Sequence, residues 1–201
     1  MPFIAFLGCD GSGKSAVIQG VAARLEAEGR PVTLGHWRPK PFASSSSSTP
    51  SAADDPHGQQ PRGFASSVLK LGWLWLNWWV AWCQYLRRDS RQGFVLFDRY
   101  HGDLLVDPKR YRYGGPLWLA RLASRWMPQP DLVIYLDAPA EVLLSRKQEV
   151  SAAALKTSRA AYLALAASSP RIQVIDASGS LPAVIQVTMR LIKLIQEGKK
   201  C

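Results

Sequence analysis

The chain has 201 residues, of which 47% are hydrophobic, and this size allows one domain with a sizeable core. Its formal net charge of +10 suits anionic ligands, but no block of five like charges marks a nucleic-acid-binding tail, so we expect no nucleic-acid partner. Three cysteines are too few for a disulfide framework or a cysteine metal cluster, which favours a reduced, cytoplasmic setting.

The first predicted strand, Phe3–Leu7, runs directly into a glycine-rich loop at 8–15 with the pattern G-x-x-x-x-G-K-[ST], and a predicted helix over Ser15–Glu28 follows. In this strand–loop–helix context, backbone N–H groups and the positive end of the helix dipole converge on phosphate oxygens. Lys14 would reach the β- and γ-phosphates, and the Ser15 hydroxyl would bind Mg²⁺. The predicted nucleotide-binding residues are Gly8, Asp10, Gly11, Ser12, Gly13, Lys14 and Ser15.

After a second predicted strand, Val32–His36, the segment 41–63 lacks apolar periodicity and contains the serine run Ser44–Ser48. Such a segment cannot bury enough apolar surface to order itself, so we predict a mobile insert. Two interpretations stay open here: an insert without a role, and a substrate-side lid that orders on binding.

A tryptophan-rich helix is predicted over Ser66–Arg88, and its length approaches that of a membrane span. Asn77 and Gln84 interrupt the apolar run. We therefore expect a helix of the domain whose exposed apolar face pairs with a second subunit in a homodimer. A peripheral membrane contact is the alternative, since tryptophan favours membrane interfaces.

The predicted strand Phe94–Phe97 leads into Asp98-Arg99-Tyr100. A carboxylate at the end of a buried strand beside a phosphate-binding loop is placed to hold Mg²⁺, and the planar guanidinium of Arg99 is suited to a second phosphate. The alternative is a capping aspartate with a solvated arginine. The polar, aromatic and basic stretch at 101–115 is either a ligand-binding loop or a solvated surface loop.

A third carboxylate, Asp137, follows the predicted strand Leu132–Leu136, and we interpret it as a cap of the helix predicted at 140–148. Near the end of that helix, Arg146 is the best candidate for a cation that offsets charge on a transferred phosphoryl group. A lid is accordingly expected near 145–158. The alternative for Arg146 is a favourable interaction with the helix dipole alone.

Strand-like and helix-like segments alternate along the chain, which indicates a doubly wound parallel sheet. The remaining predicted segments are the helices Leu117–Trp126, Ser158–Ala167 and Leu181–Gln196 and the strand Ile172–Ile175. Because ligands of such sheets lie outside the carboxyl ends of the strands, the loop at 8–15, Asp98 and Asp137 are expected at one edge.

The chain resembles the thymidylate kinase family in segments that keep the family's order over nearly its whole length: residues 6–15, 97–100, 130–142, 159–162 and 174–177. The resemblance implies the P-loop NTPase/nucleoside monophosphate kinase fold, an α/β fold with a five-stranded parallel sheet and helices on both faces. It implies ATP and Mg²⁺ as cosubstrates and a dimer through helices on one side. It also implies that Asp10 approaches the acceptor's sugar hydroxyl and that Arg99 holds the acceptor's phosphate.

Family members without an arginine inside the loop supply one from the lid, and this loop has Gly11 at the relevant position. The resemblance therefore implies that Arg146, with Lys147, acts from the lid. The expected catalytic residues are Lys14, Asp98, Arg99 and Arg146, and the expected metal ligands are Ser15 and Asp98.

The chain departs from the family on the acceptor side. Gly35–Pro39 stands in place of an Arg-Glu-Pro-Gly element, with Arg38 as a candidate counterpart, and residues 102–113 replace the pattern after Asp-Arg-Tyr. We therefore predict a single kinase domain, residues 1–201, that transfers a phosphoryl group to a small acceptor, in the first place a nucleoside monophosphate. The alternatives are a nucleoside or sugar acceptor, or a nucleotide-dependent binding protein at a membrane surface.

Overall fold

A computed structural model describes residues 2–39, 63–146 and 151–198. The predicted insert at 41–63 lies outside these residues except for Gly63, as does Lys147. Five parallel strands form one sheet in the order β2-β3-β1-β4-β5. The strands are β1 Phe3–Leu7, β2 Val32–His36, β3 Phe94–Asp98, β4 Leu132–Asp137 and β5 Ile172–Asp176.

Both faces of the central strands are covered, and β1 shows this most clearly. Phe3, Ala5 and Leu7 point into one hydrophobic cluster, while Ile4 and Phe6 point into another on the opposite face. This alternation follows from the two-residue period of a strand. The edge strands β2 and β5 pair with a neighbouring strand on only one side, and both expose several residues.

Helices lie on both faces of the sheet, which confirms the predicted fold class. Helices α1 and α8 pack together against one face, while residues of α2 and α7 join the cluster on the other. The helices are α1 Lys14–Ala27, α2 Phe64–Ala81, α3 Arg87–Gln92, α4 Gly102–Val106, α5 Leu117–Arg125, α6 Ala140–Arg146, α7 Ala152–Ala167 and α8 Leu181–Gly198.

Three helical segments differ from the sequence predictions. The helix predicted at 66–88 continues from α2 through a π-helical turn, Trp82–Leu86, into α3. Helix α4 lies in the stretch predicted to be a loop, where Leu104 is buried. Helix α7 begins six residues before its predicted start, because the Ser151 hydroxyl caps it by accepting a hydrogen bond from the backbone N–H of Ala154.

Among the helices of the described ranges, none combines the length and apolar character needed to cross a membrane.

The sheet order places the glycine-rich loop at its topological switch point. Strand β1 lies between β3 and β4, so the chain leaves it toward β2 on one side and later returns to β4 on the other. The carboxyl ends of β1, β3 and β4 therefore meet at one edge, where open α/β sheets bind their ligands. The loop at 8–15, Asp98 and Asp137 lie at this edge, as the sequence predicts.

Candidate functional site

The loop at 8–15 depends on glycine where it bends and where it approaches another element. Gly13, at the N-terminus of α1, and Gly11 have φ angles of 79° and 83°, in the left-handed region that favours glycine. A Cβ atom on Gly11 would lie 2.6 Å from the carbonyl oxygen of Leu143 in α6. The loop can therefore curl closely against α6 and direct its backbone N–H groups toward a bound anion.

Lys14 lies at the centre of the loop, with its side chain buried. Its ammonium donates hydrogen bonds to the carbonyl oxygens of Gly8 and Cys9, with N–O distances of 2.8 and 3.1 Å. Burial and the nearby charge of Arg99 lower the pKa of Lys14 to about 8. The loop thus holds a cation that is still mainly protonated at neutral pH, where a polyphosphate would stabilise its charged form.

The neighbouring Cys9 is also buried, and this determines its protonation state. Burial raises the pKa of the Cys9 thiol to about 11, although the charge of Lys14 acts in the opposite direction. The thiol is therefore protonated at neutral pH, despite its position beside a helix N-terminus, where a thiol pKa is usually lowered.

Ser15 and Asp98 meet at the mouth of the loop. The Ser15 hydroxyl donates to Asp98 Oδ2 over 3.1 Å, across 83 positions of sequence. Asp98 Oδ1 is buried and, among the described residues, has no hydrogen-bond partner. An unpaired buried carboxylate oxygen beside a hydroxyl fits a divalent cation such as Mg²⁺, which prefers oxygen ligands.

Arg99 is held firmly at the end of β3. Its φ angle is 70°, uncommon for a residue with a side chain, and its backbone N–H donates to the Phe6 carbonyl oxygen of β1. Its guanidinium pairs with Asp10 and with Asp103, each over 2.7 Å. Burial opposes the positive charge, but the Asp103 carboxylate outweighs it and raises the pKa of Arg99.

Asp10 connects the loop to a second arginine. While Oδ1 accepts from Arg99, Oδ2 accepts from Arg110 over 2.7 Å. Burial alone would raise the pKa of Asp10, but the hydrogen bond and charge of Arg110, together with Arg99, lower it to about 2. Asp10 is therefore ionised throughout the physiological range, and it keeps two guanidinium groups next to the phosphate-binding loop.

Asp103 anchors the other side of Arg99 in a buried network. Its Oδ1 accepts from the Tyr162 hydroxyl over 2.8 Å, and its Oδ2 accepts from Arg99 and from the Tyr111 hydroxyl. Both carboxylate oxygens are thus satisfied by donors. The network joins α4, α7 and the segment after α4 around one guanidinium.

A cleft of about 600 Å³ is lined by the ion-paired residues Asp10, Arg99, Asp103 and Arg110. Its lining also includes residues of α7, among them Ser158 and Tyr162. The cleft therefore joins the glycine-rich loop to the two arginines, so that a small molecule bound there would lie beside a nucleotide phosphate.

Comparison with known proteins places the chain in a family. No family model matches it. It is 30% identical to the thymidylate kinase of each of two Cereibacter sphaeroides strains, ATCC 17029 and ATCC 17023, over 89% of this chain and 88% of the relative. It is 26% identical to YghS, an uncharacterized ATP-binding protein of Escherichia coli K12, over 94% of this chain and 91% of that protein. The chain belongs to the P-loop kinase family that includes the thymidylate kinases.

Two predicted residues of this P-loop kinase have contacts away from the loop. Arg146 donates to the carbonyl oxygens of Ala177 and Ser178, after β5, over 2.9 and 3.3 Å. The carboxylate of Asp137, predicted to cap α6, instead accepts two hydrogen bonds from Arg159 of α7 and one from Tyr135. Asp137 thus ties β4 to α7. The other predicted site residues do meet at the loop: Lys14, Ser15, Asp98, Arg99 and Asp10.

Sequence reasoning did not select Arg110 or Asp103 as site residues of this P-loop kinase. Both lie in the polar stretch for which it left a ligand-binding loop and a surface loop open. The available signal for Arg110 is the cluster of basic and aromatic residues at 109–113. For Asp103 it is the spacing of four residues from Arg99, which allows an ion pair within a helical turn.

Proposed function

We propose that this protein is a thymidylate-kinase-like enzyme that transfers the γ-phosphoryl group of ATP to the phosphate of a nucleoside monophosphate. The bond between the γ-phosphorus and the β–γ bridging oxygen would break as an acceptor phosphate oxygen bonds to that phosphorus, which yields ADP and a nucleoside diphosphate. ATP use is suggested by the kinase and ATP-binding relatives. The observation that carries the proposal is the pair Arg99 and Arg110 around Asp10, directly beside Lys14.

Each catalytic role follows from position and charge. The loop N–H groups and Lys14 would neutralise the β- and γ-phosphates, and Arg99 would orient the acceptor phosphate. Ser15 and Asp98 would hold Mg²⁺, which would offset the negative charge of the phosphates. Arg146 would serve from a lid near 145–158, and this requires that it exchange the carbonyls of Ala177 and Ser178 for phosphate oxygens.

The low pKa of Asp10 argues against this carboxylate as the general base that a hydroxyl acceptor would need. A hydroxyl nucleophile needs a base whose pKa lies near the working pH, and the pKa of Asp10 is about 2. A phosphate oxygen is already anionic and needs no proton removed. The two arginines, which Asp10 holds at the cleft, would bind such an acceptor by charge-assisted hydrogen bonds.

An ADP-release assay across thymidylate, other nucleoside monophosphates, nucleosides and sugars tests this function. We expect turnover with a nucleoside monophosphate, and loss of turnover in Lys14→Ala. Turnover with a sugar or nucleoside alone would refute the acceptor class. Nucleotide binding without turnover on any acceptor would favour a nucleotide-dependent binding protein.

A titration tests the metal ligands by a second measurement. If Ser15 and Asp98 hold the ion, binding of ATP in the presence of Mg²⁺ should weaken in Ser15→Ala and Asp98→Asn. Binding of ATP with EDTA present should change far less. Equal losses with and without Mg²⁺ would show that these residues support the loop rather than the ion.

The homodimer and the cytoplasmic location stay predictions. A dimer through the helical segment 66–88 would use the exposed face of α2, which includes Leu69, Trp73 and Leu76. Sedimentation velocity of the full chain, compared with Leu69→Ser/Leu76→Ser, tests the dimer. A wild-type monomer at all concentrations would refute it.

A further inference from the structure

Helix α5 and the residue that follows it, Trp126, present an exposed stripe of apolar and basic residues, which we call the α5 stripe. Trp118, Arg121, Leu122, Arg125 and Trp126 recur at the three- and four-residue spacing that defines one face of a helix, and all five are exposed. Trp118 and Trp126 are 64% and 65% exposed, more than any other tryptophan among the described residues. The opposite face of α5 packs inward through Ala120, which is fully buried.

The stripe continues into an apolar groove of about 340 Å³ between α5 and α2. Leu122 of α5, Trp126 directly after it and Trp75 of α2 line the groove. The Trp79 indole N–H of α2 donates to the Trp126 carbonyl oxygen at the end of α5. The groove therefore places exposed apolar side chains of both helices directly beside Arg121 and Arg125.

The charge of the α5 stripe is positive, which favours an anionic partner. The chain has no carboxylate side chain between Asp107 and Asp131 or between Asp55 and Asp89, so neither α5 nor α2 carries one. Within the described residues, Arg121 and Arg125 make no ion pair. A second copy that packed α5 symmetrically on α5 would bring these arginines together without a carboxylate to pair with them.

We propose that the α5 stripe docks on the surface of an anionic lipid membrane, lying in the plane of the interface. Tryptophan rings are suited to the boundary between headgroups and acyl chains, and arginines beside them would pair with lipid phosphates. The nine-residue helix lies along such a surface rather than across it. This attachment leaves the cleft at the carboxyl edge of the sheet to its own ligands and does not depend on the acceptor that the enzyme uses.

Co-sedimentation of the full chain with vesicles tests the proposal. The vesicles contain phosphatidylcholine alone or a mixture with phosphatidylglycerol. We expect binding to the mixed vesicles, weaker binding at high salt, and little binding to phosphatidylcholine alone. The variant Arg121→Glu/Arg125→Glu should bind the mixed vesicles at least about tenfold more weakly, since each basic residue near the surface contributes to the attraction.

A matched control separates this face from the general positive charge of the protein. Arg24→Glu/Arg190→Glu makes the same charge change on exposed positions of α1 and α8, at the opposite face of the sheet. It should keep most of the binding. Equal loss in both variants would overturn the proposal, because the net charge alone would then account for the attraction.

The tryptophans provide a second, independent readout. Trp118→Ser/Trp126→Ser should lose vesicle binding, whereas Leu194→Ser, at an exposed apolar position of α8, should not. Absence of binding to the mixed vesicles overturns the proposal. If Trp118→Ser/Trp126→Ser instead converts a dimer to monomers and vesicles are not bound, the stripe is an interface between copies of this chain.

Discussion

Replacing Asp103 with asparagine removes a buried negative charge that Arg99, Tyr111 and Tyr162 share. The side chains of Arg99 and Asp103 are 9% and 1% exposed, which makes this a buried ion pair. Removal of one partner from such a pair costs about 3–5 kcal/mol. Because Asp10 still contacts Arg99 over 2.7 Å, we expect the low end of this range, about 3 kcal/mol.

Urea denaturation followed by tryptophan fluorescence measures the free energy of unfolding of Asp103→Asn. Asp89→Asn is the control, because Asp89 pairs with Thr33 and the exposed Arg88 near the surface and should change stability by less than about 1 kcal/mol. Steady-state kinetics should show a raised KM for the acceptor and a nearly unchanged KM for ATP. An Asp103→Asn variant within about 0.5 kcal/mol of the wild type would refute the argument that this network holds Arg99.

Three further predictions follow from the charges of the site and core. Because the pKa of Lys14 is about 8 and the protonated form would bind ATP, kcat/KM for ATP should fall as pH rises through about 8, and Lys14→Arg should abolish that fall. Arg110→Ala should raise KM for the acceptor about tenfold or more, because it removes one charge-assisted hydrogen bond, and it should leave KM for ATP unchanged. Equal changes in both KM values would contradict this prediction. Burial lowers the pKa of His101 from 6.5 to about 4, so on acidification the unfolded state takes up a proton at a higher pH than the folded state does. The free energy of unfolding should therefore drop by up to about 3 kcal/mol between pH 6.5 and pH 4. Denaturation measured across this pH range should show a smaller loss in His101→Gln.

The strands and the phosphate-binding loop were predictable because their signals are local. Strands β1 and β2 begin and end at the predicted residues, and β3, β4 and β5 each extend one residue further, to an aspartate. Short apolar runs bounded by loop signals indicate strands of a parallel sheet, and this signal is strongest for the buried strands β1, β3 and β4. The proximity of Ser15 to Asp98 then follows from the parallel order of β1 and β3.

The acceptor side could not be predicted in the same way, because its contacts join distant parts of the chain. Tyr162 reaches Asp103 across 59 residues, and Arg110 reaches Asp10 across 100. Helix α4 is only five residues long, too short for a periodic pattern, and it depends on the burial of Leu104 and Asp103. Such elements are determined by tertiary packing, which a local pattern does not contain.

The buried thiol of Cys9 gives the protein two chemically distinct cysteines among its described residues. With a pKa of about 11, only about one Cys9 in ten thousand is a thiolate at pH 7, so alkylating and oxidising reagents would spare the phosphate-binding loop. Cys83 is exposed in the π-helical turn after α2. In a Cys201→Ser variant, a thiol-reactive fluorophore would therefore mark Cys83, within the helical segment 66–88, without blocking nucleotide binding, and its signal would report contacts made by that surface.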